Sequence, residues 1–293
     1  MRQFSKSKIN FEEQPFHYCI ADSLYSSSIN ITELEHLSLK NHKSKSKPSS
    51  QEQSGSINSQ LHSSVFNENT MIGEKNYSLA VSYFNNQSYI LSNEDVHFQI
   101  NKNNILEVDS GTYDPILLLG PALILNLALN KVFCLHASSF KINSTLFVLM
   151  AKSGTGKSTI ARYMDTKDNG IRVTDDILPL KWQERKLVPL PLFPQLKIQH
   201  NKQFTGTLEF NKIKLLFTQK AKGQTKLVPI EAIESLKRIV SHTVASKLFS
   251  DSELSKHLDF CFNACHAVES FSVDYSHTTN SLAELYRLLN EIS

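Results

Sequence analysis

The string Ala151-Lys152-Ser153-Gly154-Thr155-Gly156-Lys157-Ser158, placed directly after the apolar run Thr145 to Met150, constrains this chain more than any other feature. It matches the phosphate-loop pattern G-x-x-x-x-G-K-[ST] except that Ala151 stands at the first glycine. Gly154 and Gly156 let backbone amides turn inward on phosphate oxygens, and Lys157 brings a cation to the β- and γ-phosphates of a nucleotide. The Ser158 hydroxyl can coordinate magnesium, and the positive end of the helix expected from Lys157 to about Met164 favours a bound anion. The bland alternative is a tight strand-to-helix turn that meets no nucleotide. Glycine, lysine and serine at these spacings after an apolar strand weigh against it. Ala151 sets a condition, because alanine would be strained if that position required a positive φ, and affinity would then fall.

A second signal follows the loop. Ile171 to Thr174 reads as a strand that ends at Asp175-Asp176. A carboxylate there can hold magnesium, and its neighbour can accept the proton of an attacking hydroxyl. Adjacent side chains on an extended chain point to opposite sides, so the two acids should not share one role.

Composition bounds the rest. With 293 residues and 40% hydrophobic content the chain can bury a substantial core. The formal charge of +3 arises from nearly balanced acids and bases, so nothing global calls for a nucleic acid or an anionic membrane surface. Cys19, Cys134, Cys261 and Cys265 are too few and too unevenly spaced for a disulfide framework, and the start lacks the apolar stretch of a signal peptide. The cytoplasm is the expected compartment. Pro115 to Leu129, interrupted by Gly120 and Pro121, is too short to span a bilayer and reads as a buried helix.

The remaining pattern divides the chain into a small element over 1–40, a flexible Ser/Lys-rich linker over 41–64, and one large domain over 65–293. The linker contains Lys43-Ser44-Lys45-Ser46-Lys47 and almost no apolar residue, so it cannot offset the entropy of ordering. Phe16 to Leu39 reads as a strand-and-helix element docked on the body. Short runs of Tyr, Phe, Val and Ile (Tyr77 to Phe84, Gln87 to Leu91, Val96 to Ile100, Ile105 to Val108) predict an antiparallel meander. Val132 to His136, Ser139 to Ile142 and Thr145 to Met150 read as three strands, and a strand pair is expected around Ile177 to Leu190. Further on come a strand over Lys212 to Phe217, a helix from Pro229 to about Val244 with Pro229 in its first turn, a helix over Asp251 to Cys265, a strand over Val268 to Tyr275, and a last helix capped by Asn280.

The order Leu135-His136-Ala137-Ser138, then Gly154-Thr155-Gly156-Lys157-Ser158-Thr159, then Thr174-Asp175-Asp176 resembles the catalytic core of HPr kinase/phosphorylase and its relatives. With Phe193-Pro194-Gln195-Leu196-Lys197 it looks closest to HPr-kinase-like serine kinases, including those that phosphorylate lasso-type peptides. The match is strong over Leu123 to Leu196 and does not cover the first 65 or so residues. It implies an α/β fold (an α+β mixed sheet) with a phosphoenolpyruvate carboxykinase-like P-loop core, and an antiparallel β element N-terminal to it. It also implies ATP and Mg as cofactors, an acceptor serine in a peptide or protein, and assembly into a homo-oligomer. Carried over, His136 corresponds to the active-site histidine, Lys157 and Ser158 to the phosphate and magnesium contacts, Asp175 to a metal-associated acid and Asp176 to the catalytic base. Pro191-Leu192-Phe193-Pro194 stands where HPr kinases carry an acidic signature, so HPr is not the expected substrate and phosphorolysis is not expected.

The expectation is an ATP-dependent kinase acting on a hydroxyl. A nucleotide-binding scaffold without turnover, or a kinase of small molecules, remains open at this level. Arg162, Lys197, Lys222 and Lys226 read as solvated cations before they read as substrate contacts. Cys261, Cys265 and His266 lack a second cluster to complete a zinc site and read as buried thiols with a neighbouring histidine.

Overall fold

The computed structural model describes residues 16–21, 23–27, 63–72, 75–84, 88–93, 96–102, 105–107, 114–194, 204, 208–221 and 223–293. The run Lys43 to Lys47, the helix expected before Leu39, and Lys197 and Lys222 lie outside these residues.

Strands β1 (Phe16–Ile20) and β2 (Ser23–Ser27) form an antiparallel hairpin. The Ala21 amide at its turn donates to the Leu192 carbonyl, which docks the hairpin on the body. The meander comprises β3 (Ser63–Ile72), β4 (Lys75–Phe84), β5 (Ser88–Asn93), β6 (Val96–Ile100) and β7 (Ile105–Glu107), paired in sequence order. Its buried face alternates as half-buried strands must: Tyr77, Leu79, Val81 and Tyr83 on β4, then Tyr89 and Leu91 on β5. β3 corrects the expected linker boundary, since Ser63 and Ser64 belong to a strand. As the outer strand it exposes Asn67, Glu68 and Asn69, and so carries no apolar alternation to read.

The buried helix runs as α1 (Pro115–Leu117), a π turn over Leu118–Ala122 that contains Gly120 and Pro121, and α2 (Leu123–Leu129). Asp114 caps it by accepting from the amides of Ile116 and Leu117.

The second sheet has the order β12-β11-β8-β9-β13-β15-β14, with β10 also on β8. Its strands are β8 (Val132–Ile142), β9 (Thr145–Met150), β10 (Gly170–Thr174), β11 (Ile177–Gln183), β12 (Lys186–Pro189), β13 (Lys212–Lys220), β14 (Lys226–Pro229) and β15 (Glu269–Tyr275). β13 lies parallel to both β9 and β15, while the other pairs are antiparallel, so the sheet is mixed as expected. Helices α3 (Lys157–Asp165) and α6 (Thr279–Glu291) cover one face, where Ile160, Met164, Leu285 and Leu289 pack on Phe140, Phe147, Leu149 and Leu216. Helices α4 (Ala232–His242) and α5 (Asp251–Ala267) join α2 and the meander on the other. Cover on both faces explains why every residue of β9 is buried and why that strand reads as a continuous apolar run.

Three boundaries differ from expectation. Val132 to Ile142 is one strand, because Ala137 pairs with Met150 on one side and its amide bonds the Asp176 carbonyl on the other, leaving no break at Ala137-Ser138. Pro229 ends β14, and α4 starts only at Ala232 with Glu231 at its N-cap. The last helix is capped by Thr278 in reciprocal bonds with Ser281, two residues before Asn280. No helix among the described residues is long and apolar enough to cross a membrane.

Candidate active site

β9 delivers the chain into the loop and α3 leads it out, the context the motif requires. Gly154 and Gly156 take φ of 78° and 90°, in the left-handed region that glycine tolerates. Ala151 is buried and is not among the residues with positive φ, so alanine bears no strain there. The buried Lys157 Nζ donates to the Ala151 carbonyl at 2.8 Å across the loop, and Thr155 Oγ1 donates to the Lys152 carbonyl at 2.6 Å. Ser153 and Gly154 are exposed, as is Thr159, while Ser158 is half-buried in the first turn of α3.

Gly156 is pressed by residues at the end of β15. A Cβ at this position would sit 2.1 Å from Tyr275 Oη and 3.3 Å from His277 Cε1, so only glycine fits between the loop and the end of β15.

The acids arrive at the same edge of the sheet. With Ala137 paired both to Met150 and to Asp176, the aspartate pair stands about two strand spacings, roughly 10 Å, from the entry to the loop. The two carboxylates diverge as expected. Asp175 turns inward, where Ser138 Oγ donates to its Oδ1 at 2.9 Å and Arg172 Nη1 lies 3.7 Å from its Oδ2. Asp176 turns to His136, whose Nε2 lies 3.5 Å from Oδ1. Their side chains are 17% and 36% exposed, so this second pair is open to an incoming group.

Helix α4 supplies groups the sequence did not mark. His242 in its last turn is half-buried; burial pushes its pKa down to about 4, and the nearby charges of Lys157, His136 and Arg238 push the same way. It is therefore neutral at pH 7 and faces the cations of the site. Its ring lies 6.5 Å from that of Phe217, and the Arg238 guanidinium lies 5.5 Å from the same ring while Nε bonds Glu234. Arg238 and His242 are one helical turn apart on α4, a spacing visible in the sequence, but no local signal says that this turn faces residue 157.

No family model matches the chain, and no curated protein matches it. The chain is similar to the structure of the Hpr(Ser) kinase/phosphatase from Coxiella burnetii, with 12% identity, covering 54% of this chain and 98% of that one at a TM-score of 0.27. So loose an overlap bears on neither fold nor function.

The residues themselves fit a polyphosphate and a metal ion. Gly154 and Gly156 give the loop its two left-handed turns, and Lys157 brings a buried ammonium to it. The Thr218 hydroxyl, one residue past the point where β13 is level with Met150, is buried and has no hydrogen-bond partner among the described residues. No set of three His, Cys, Asp or Glu among the described residues gathers around a point fit for a metal. Magnesium needs no such cage, since it is held by one or two protein oxygens together with phosphate and water. The thiols of Cys261 and Cys265 are buried and their pKa values are raised by desolvation, in keeping with inert packing. Arg162 is exposed and bonds the Ser158 carbonyl within its own helix, and Lys226 is an exposed residue of β14.

Proposed function

We propose that this chain is an ATP- and magnesium-dependent phosphotransferase of the HPr-kinase-like type, which moves the γ-phosphoryl group to a hydroxyl, with a serine of a peptide or protein other than HPr as acceptor. The observation that carries this reading is the loop of residues 151–158, with left-handed Gly154 and Gly156 and the Lys157 ammonium folded back on the Ala151 carbonyl, at the sheet edge that also holds Asp176 and His136. Bound ATP supplies the phosphoryl group, and magnesium neutralises its oxygens. Lys157 exchanges its carbonyl partner for phosphate oxygens, and the amides of residues 153–159 complete the cradle. Ser158 and Asp175 are the groups that would hold magnesium, with Asp175 oriented by Ser138 and Arg172. Asp176 takes the proton of the acceptor hydroxyl as its oxygen bonds phosphorus, and His136 beside it holds that carboxylate in place. Arg238, close enough to His242 to lower its pKa together with Lys157, adds positive charge near the site, where fixed charge favours a transition state rich in phosphoryl oxygens.

The test is thermal stability with ATP and magnesium, followed by mass spectrometry of a mixture of serine-containing peptides. At a nucleotide concentration of 100 times Kd, binding adds about 2.7 kcal/mol of stability, a shift of several degrees. The wild type should show this shift and Lys157→Ala should lose most of it. A wild type indifferent to ATP removes the reading, and binding without transfer to any acceptor leaves the scaffold alternative in its place.

A further inference from the structure

Resting on the phosphate-loop reading above, we propose that His277 is a binding residue for the nucleotide, its imidazole N–H donating to a phosphate oxygen held by the loop. Its placement is unusual in three independent ways. The Cε1 carbon lies 3.3 Å from where a Gly156 Cβ would be, and both ring nitrogens are bonded to that carbon, so either tautomer brings nitrogen to the loop. The backbone at His277 takes φ of 59°, in the left-handed region that non-glycine residues adopt uncommonly. The ring is stacked on Tyr275 at 4.4 Å with 23° between planes, and the next residue, Thr278, is fixed as the N-cap of α6. An exposed side chain is thus held rigidly beside Gly156, one of the two left-handed glycines of the loop. Phosphate oxygens bound by loop amides sit about 3 Å from the amide nitrogens. The purine lies beyond the α-phosphate, so phosphate is the part of the nucleotide within reach.

The probes are ATP with magnesium and inorganic tripolyphosphate, titrated calorimetrically into the full chain as wild type, His277→Gly and His277→Gln. Glycine removes the donor and also relieves the left-handed backbone, so the variant should melt no lower than wild type while binding both probes roughly tenfold or more weakly, the scale of one hydrogen bond to a charged group. Glutamine keeps an N–H donor and should recover part of that loss. Equal binding of both probes by wild type and His277→Gly overturns the proposal. Weakened ATP with unchanged tripolyphosphate overturns it too, since the ring would then touch the base. A wild type that binds neither probe overturns the phosphate-loop reading itself, and this inference with it.

Discussion

At Gly156, adding a single methyl group probes the loop geometry most directly, because two costs meet there. The new Cβ would lie 2.1 Å from Tyr275 Oη, on a backbone with φ of 90°. At Gly154 φ is 78°, but none of the described residues lies within 4 Å of the added carbon, so alanine there bears only the conformational cost, about 1–2 kcal/mol. Gly156→Ala should therefore abolish stabilisation by ATP and magnesium, whereas Gly154→Ala should weaken it. Adding Tyr275→Phe to Gly156→Ala should recover only part, since removing the hydroxyl leaves the φ penalty. Melting curves with and without nucleotide decide this, and equal behaviour of the two alanine variants would mean that Tyr275 does not press on the loop. For chemistry the decisive residue is Asp176. Asp176→Asn keeps its size while removing the proton acceptor, so transfer should fall by about two to four orders of magnitude with ATP binding retained. Full transfer by a folded Asp176→Asn variant would dismiss the proposed base.

Two helices anchor the strand that carries His136. Thr243, directly after α4, bridges to Leu135 of β8, and its hydroxyl shares a 2.7 Å hydrogen bond with His257 Nε2 of α5. His257 is 1% exposed, and burial pushes its pKa down to about 4 from the usual 6.5. The unfolded chain therefore takes up a proton near pH 6.5 that the folded chain refuses until about pH 4. The contribution of His257 is complete above pH 6.5 and is lost as the pH falls through this window, for a total on the order of 3 kcal/mol. His257→Gln should unfold more easily at pH 7 yet show a shallower loss of stability between pH 6.5 and 4. Part of the slope should persist through His242, which is lowered to about 4 as well. Denaturant titrations across that range measure both, and an unchanged slope would show that His257 is already charged in the folded chain. Elements written in contiguous residues were legible in the sequence: β9, the loop, α3 and the strand into Asp175-Asp176 stand where their patterns put them. Boundaries set by partners were not. Ala137-Ser138 looks like a break but continues β8 because strands flank it on both sides, and Pro229 suits a helix start but is claimed by pairing with Phe271.

Across the whole molecule, the groups the sequence left unmarked share one origin. Tyr275 and His277 reach the loop because β15 runs parallel to β13, as β13 does to β9, and brings the chain back to the same edge, while His242 comes near Lys157 on α4 beside Phe217 of β13, all far from residue 157 in sequence. The same long-range logic joins the meander to the second sheet, as one continuous core runs from Leu79, Val81 and Phe98 through Leu125 and Leu127 to Phe133 and Phe260. A buried polar contact fixes the join: Tyr89 Oη accepts from the Ser250 amide at 2.8 Å and donates to Glu253 Oε2 at 3.0 Å, while Lys256 Nζ holds the other oxygen of Glu253 at 2.8 Å. Glu253 is fully buried, and these partners satisfy its carboxylate oxygens. Tyr89→Phe removes both bonds and strands the Ser250 amide, at a cost of about 1–3 kcal/mol. Since the core is shared, that loss should lower the melting point of the whole chain in one transition, seen alike by far-ultraviolet circular dichroism and by fluorescence of Trp182 on β11. ATP should still raise the melting point of the variant, because the contact lies outside the loop. Two separate transitions in Tyr89→Phe would instead show the meander to be an independent unit, with Tyr89 as its hinge.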